Sequence, residues 1–94
     1  MATLSHSDAA TRVRELAGWI LDGNAIRKQF VFRDFPDAVA FVQRLVPGAE
    51  AADHHPEILI NYKRVTLTYT THSEAGLTDK DFAGARMAEQ VAGG

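Results

Sequence analysis

Two of the chain's four histidines, His54 and His55, are adjacent and directly precede Pro56 in the stretch ADHHPEILINY, residues 52–62. Imidazole titrates near pH ~6.5, so it donates or accepts a proton at neutral pH with little tuning. Acid–base work suits the pair better than metal binding. In an extended segment neighbouring side chains leave on opposite faces, and the chain has no cysteine to supply a thiolate. His72 lies 17 residues beyond His55 and His6 is near the terminus, so no ligand pair of favourable spacing forms. No metal is therefore expected. Pro56 restricts His55 to extended or polyproline geometry, which aims its ring.

The elements around these residues are legible from periodicity and caps. A first helix is expected after Ser5, which stands three residues before Asp8 as in a capping box. Its apolar stripe is Ala9, Val13, Leu16 and Ala17, and Gly18 is expected to end it. Two strands follow around Asp22-Gly23-Asn24, strong hairpin-turn chemistry. Ile26, Phe30 and Phe32 share one strand face with Lys28 as the exception; Arg27, Gln29 and Arg33 mark the other, with Val31 as its exception. A second helix starts near Asp34–Pro36, with Ala38, Phe41, Val42 and Leu45 as its stripe. Pro47-Gly48 is expected to kink or stop it, because Pro47 cannot donate to the carbonyl of Gln43. EILINY and RVTLTYTT read as two more strands around a turn at Lys63-Arg64, with Val65, Leu67 and Tyr69 on one face and Thr66, Thr68 and Thr70 on the other. Counting from that turn, Tyr62 opposes Val65 and the end of the last strand, at His72, meets position 55. The three histidines should thus converge at one hairpin end. Thr78 and Asp81 form a second capping box, with Leu77 and Phe82 as a hydrophobic staple; Phe82, Ala85 and Ala88 or Glu89 face the core only loosely. The fold class is α+β: a four-stranded antiparallel sheet with three helices on one face, in the order αββαββα.

Composition bounds the function. The chain has 94 residues and a net charge of −2, which suggests one domain spanning 1–94 and lacks the clustered basic face of a nucleic-acid binder. The amino-terminal stretch MATLSHSDAA lacks the basic start and apolar run of a signal peptide. The longest apolar run, AVAFV at 38–42, is far short of the ~20 residues of a membrane span. A cytoplasmic location is expected, with neither nucleic acid nor membrane as partner.

The combined spacing is more specific than any one feature: Glu50, three residues, His54-His55-Pro56, five residues, Tyr62, nine residues, His72, eight residues, Asp81. This set resembles the signature of the pterin-4a-carbinolamine dehydratases. GW at 18–19, AIRKQFVFRDF at 25–35, AVAFV at 38–42, AEAADHHPE at 49–57 and THSEAGLTDKD at 71–81 resemble family segments as well. The resemblance implies a dehydratase that turns 4a-hydroxytetrahydropterins into quinonoid dihydropterins and water, recycling the tetrahydrobiopterin-type cofactor without a cofactor of its own. It implies His54, His55 and His72 as catalytic acids and bases, the assignment of each role remaining open. Asp53, His54 and His55 would line one wall of the substrate site and Thr70, Thr71, His72 and Ser73 the other. Glu50 would support the site; Asp81 would either orient a histidine or cap the helix. The resemblance further implies homodimers joined at sheet edges, or homotetramers. Ile58 stands where the family often has an aromatic residue, and Gly84 where a larger apolar residue is usual, which should weaken packing there. The alternative readings are a non-catalytic dimerisation partner of a transcription factor, as some animal members are, and a paralogue linked to molybdenum-cofactor metabolism.

Overall fold

In a computed structural model, which describes residues 3–93, the Gly23-Asn24 turn joins β1 (Ile20–Asp22) to β2 (Ala25–Val31). Asp22 faces Ala25 across it, and Gly23 takes the positive φ of 62° that such a turn demands. Before the hairpin lies α1 (His6–Val13); after it come α2 (Phe35–Ala52), β3 (Glu57–Asn61), β4 (Arg64–Tyr69), a 3-10 turn (His72–Glu74) and α3 (Asp79–Gly93). The order αββαββα holds, and the strands form one antiparallel sheet in the order β1-β2-β4-β3.

Alternation along the central strands makes the core. Ile26 pairs with Tyr69 and Phe30 with Val65, and these side chains are buried on one face with Leu67. Onto that face the helices press Ala9 and Val13, then Ala38, Phe41 and Leu45, then Phe82, Ala85 and Ala88. The last three are fully buried, so α3 packs tightly and not loosely. Lys28 also lies on the inward face. Its Nζ sits 4.7 Å from the Phe30 ring centroid and donates to the carbonyl of Ala17 and to Glu89 Oε2, which satisfies the charge.

Four local expectations change. The first helix ends at Val13, not Gly18: Glu15 and Leu16 donate to the carbonyls of Arg12 and Val13, three residues back, which tightens the chain into turns. Gly18, at φ 85°, lets the Lys28 stem pass; a Cβ there would lie 2.9 Å from Lys28 Cε. Pro47 does not break α2, which runs unbroken to Ala52. Gln43, Val46 and Pro47 are on its exposed side, so the carbonyl that Pro47 leaves unbonded faces solvent. Gly48 faces α3, where the flexible end of the Met87 side chain occupies the space beside it. The β3–β4 turn is Tyr62-Lys63, with Asn61 opposite Arg64 and Tyr62 at φ 56°. That shifts the expected pairing by two residues. Gly84 does not weaken packing: its missing Cβ is the space that the Tyr69 ring fills, since a Cβ would lie 2.5 Å from Tyr69 Cε1.

Among the described residues no helix is long and apolar enough to cross a membrane.

Candidate active site

The His54-His55 segment is aimed by the end of α2. Asp53 adopts the left-handed conformation, φ 50° and ψ 43°, which aspartate tolerates better than most residues. Around it the His54 N–H donates to the carbonyl of Ala49 and the Asp53 N–H to that of Glu50, at 3.1 and 3.2 Å. This is a Schellman ending, and it reverses the chain towards β3. The two imidazoles then part, as neighbours in an extended segment do. His54 turns inward to α3 and His55 outward to α2.

Each ring meets a carboxylate. His54 Nε2 is 2.6 Å from Asp81 Oδ1, with the His54 side chain 11% exposed and Asp81 fully buried. Asp81 Oδ2 accepts from the Thr71 hydroxyl at 2.8 Å and from the Thr78 N–H at 2.9 Å. The Thr71 hydroxyl hydrogen is thereby committed, so the Thr78 hydroxyl, 2.9 Å away, donates to Thr71 Oγ1. Asp81 thus both caps α3 and holds His54. A buried carboxylate with three donors is well satisfied. Because all three groups must donate to it, the network assigns the hydrogen of neutral His54 to Nε2 and leaves Nδ1 as the acceptor. His55 Nε2 lies 2.5 Å from Glu50 Oε2 on the last turn of α2. Both side chains are more than half exposed, so this pair steers the ring and adds little stability.

His72 is not on the last strand. β4 stops at Tyr69, and His72 opens the 3-10 turn, exposed. The Thr71–Gly76 bridge and the left-handed Ala75 close that turn and bring His72 back over the His54-His55 segment. A cavity of ≈ 420 Å³ results here, with Asp53, His54 and His55 on one side, Thr70, Thr71, His72 and Ser73 on the other, and Lys80 at its border. That size is within the ~300–1,000 Å³ range of small-molecule sites. Glu50 and Asp81 do not line it; they stand behind His55 and His54. Lys80 escaped the sequence reading, although its place between Thr78 and Asp81 in the first turn of α3 pointed to the cavity. A second, more apolar hollow of ≈ 390 Å³ lies between α2 and α3, and His54 and Lys80 border both. The histidines gather only at the first. No cluster of His, Cys, Asp and Glu suited to a metal ion occurs among the described residues.

Beneath His54 lies Tyr69, fully buried, its ring centroid 6.0 Å from that of the imidazole with the planes 24° apart. Among the described residues the Tyr69 hydroxyl has no hydrogen-bond partner. Burial first, and then the negative charge of Asp81, push its pKa up to about 12. In the unfolded chain tyrosine ionises near ~10. The neutral phenol therefore contributes stability that is fully present below pH ~10 and lost as pH rises through about 12, roughly 2–3 kcal/mol in all. Wild type should lose melting temperature more steeply than Tyr69→Phe above pH ~10. Parallel curves for the two proteins would contradict this.

The structure defines a small α+β domain with three histidines on one polar cavity. The pterin 4 alpha carbinolamine dehydratase family matches residues 2–91. A Roseiflexus protein (strain RS-1), provisionally named a pterin-4-alpha-carbinolamine dehydratase, is 47% identical over 97% of this chain and 99% of its own length. A Nostoc protein of the same provisional name is 43% identical over 94% of this chain and 95% of its own. The crystal structure of a transcriptional coactivator/pterin dehydratase from Brucella melitensis superposes with a TM-score of 0.90 at 40% identity, covering 96% of this chain and 98% of that one. The chain belongs to the pterin-4-alpha-carbinolamine dehydratase family. A pterin dehydratase-like RuBisCO assembly factor of the alpha-carboxysome shares the fold alone, with a TM-score of 0.66 at 22% identity over 80% of this chain and 87% of its own.

Proposed function

We propose that the chain dehydrates 4a-hydroxytetrahydropterins to quinonoid dihydropterins, with His54, His55 and His72 as its catalytic residues. The observation that carries this reading is the convergence of the three imidazoles on one polar cavity, one of them held by a buried aspartate. The C4a hydroxyl leaves as water only once protonated, while the N5 lone pair forms the new double bond and the ring gives up a proton. His54, with Nδ1 free, serves as the acceptor; His72, across the cavity, donates to the departing hydroxyl. His55, steered by Glu50, holds the substrate between them, with Asp53, Thr70, Thr71 and Ser73 as its remaining polar contacts. General acid–base help of this kind is worth ~10²–10⁴-fold. The biological role follows as recycling of a tetrahydrobiopterin-type cofactor, in the cytoplasm.

The test is to generate the carbinolamine in situ with a pterin-dependent hydroxylase and to follow the quinonoid product optically. Acceleration over the spontaneous reaction is expected, with a bell-shaped dependence on pH once that background is subtracted. Prolonged chelation should leave the rate intact. The non-catalytic alternative, a dimerisation partner alone, requires no acceleration at all.

The proposal extends to assembly. Strand β3 is a sheet edge, and Ile58, Leu59 and Tyr62 on and just after it are 40%, 61% and 63% exposed. Pairing that edge with a second copy would remove an aggregation-prone feature. Light scattering should give a dimer or a tetramer, and Leu59→Arg should weaken it. A stable wild-type monomer at micromolar concentration would refute this part.

A further inference from the structure

We propose that Tyr69 is a positioning residue for the His54 imidazole, acting through the face of its ring, and that Gly84 leaves the room this ring needs. The inference rests on the proposed dehydration as far as its kinetic readout goes, and on geometry otherwise. A hydrogen bond to Asp81 fixes one point of the His54 ring but not its plane, since the ring can still turn about the Nε2···Oδ1 line. The Tyr69 ring, offset-stacked at 6.0 Å and 24°, supplies the second constraint. Between them they set where Nδ1 points.

Tyr69 is itself held on several sides. Its backbone pairs with Ile26 at the end of β4. Trp19 packs on its ring at 6.0 Å. Helix α3 closes the remaining side at Gly84, where an added Cβ would lie 2.5 Å from Cε1, 2.9 Å from Cζ and 3.0 Å from Cδ1. Rigid ring atoms cannot yield to such a contact as a flexible chain end can, so a side chain at position 84 must displace the phenol. Two residues after Tyr69 the same chain segment provides Thr71, which fixes Asp81. Plane and anchor of His54 are thus set by one short stretch. The hydroxyl has no partner among the described residues, which assigns the work to the ring.

The experiment compares Tyr69→Leu, Tyr69→Phe, Gly84→Ala and the Tyr69→Leu/Gly84→Ala pair, each checked for native circular dichroism. Small displacements of a reacting group lower rates strongly, so Tyr69→Leu should lower kcat by roughly ten- to a hundredfold with KM little changed. Tyr69→Phe should restore kcat to within about twofold, and Gly84→Ala should lower kcat alone but not in the Tyr69→Leu background, because the collision is gone. Imidazole nitrogen resonances of His54, in protein with labelled histidine, should shift in Tyr69→Leu and Gly84→Ala and stay in place in Tyr69→Phe. Wild-type kcat in Tyr69→Leu, an equal loss in Tyr69→Phe, or additive losses in the pair would overturn the proposal. If wild type shows no dehydratase activity, the proposed function fails, and the resonances still decide the positioning: unchanged His54 signals in Tyr69→Leu overturn it. Should Tyr69→Leu not fold, Gly84→Ala carries the same decision, and wild-type His54 signals there overturn the role of the glycine.

Discussion

Alanine at His72 should lower the dehydration rate at least ~tenfold, and alanine at His54 should lower it further, on the order of 10²–10⁴-fold. The two variants should differ as sharply in stability. His72 is exposed on a 3-10 turn, so its loss should leave the circular dichroism spectrum and the melting temperature unchanged. His54 is nearly buried and bonds a fully buried carboxylate. Removing it strips Asp81 Oδ1 of its donor, a loss of about 1–3 kcal/mol. For a domain of this size that is a fall of about 4–8 °C per kcal/mol. Full activity in His72→Ala would remove that residue from the proposed chemistry. Full activity in His54→Ala would end the reading of His54 as proton acceptor.

Much of what holds this site was readable from local signals, and what was missed was non-local. The Asp22-Gly23-Asn24 hairpin, the caps at Ser5 and Thr78 and the helix start near Asp34–Pro36 are short-range patterns, and each forms in the structure. The residues on the two sides of the cavity were named only by the family resemblance, which the spacing from Glu50 to Asp81 carries. Pro47 misled because its effect depends on which way the helix faces: towards solvent the lost hydrogen bond is tolerated, and periodicity around Pro47-Gly48 did not reveal the orientation. The β3–β4 turn was misplaced because Tyr62 takes a positive φ, which side-chain chemistry does not advertise. Gly84 looked like a weakness because its partner, Tyr69, lies 15 residues away on another element. For Asp81 the resemblance left two roles open, orienting a histidine or capping the helix, and only the folded chain, which brings His54, 27 residues distant, to its second oxygen, gives it both.

That second oxygen supplies the decisive comparison, between asparagine and alanine at position 81. Asp81→Ala should lower stability by roughly 3–5 kcal/mol, as expected when a buried, hydrogen-bonded ionic partner is deleted. It leaves the Thr71 hydroxyl, the Thr78 N–H and His54 Nε2 without their acceptor. Against a total of about 5–15 kcal/mol such a loss can unfold much of the population at physiological temperature. Asp81→Asn should behave differently. The Thr78 N–H is a backbone donor that cannot turn round, so the amide oxygen must take the place of Oδ2 and the amide NH2 that of Oδ1. The NH2 then donates to His54 Nε2, which must give up its hydrogen. Neutral His54 is driven to the other tautomer, with the hydrogen on Nδ1, and can no longer accept a proton there. A buried aspartate that sets the tautomer of a catalytic histidine can be worth ~10⁴-fold in rate when changed to asparagine. We therefore expect Asp81→Asn to lose on the order of 10²-fold or more in kcat, with a stability loss of only about 1–2 kcal/mol. Nitrogen chemical shifts of the His54 ring report the tautomer directly. Near-wild-type turnover in Asp81→Asn, with the hydrogen still on Nε2, would reduce Asp81 to a helix cap.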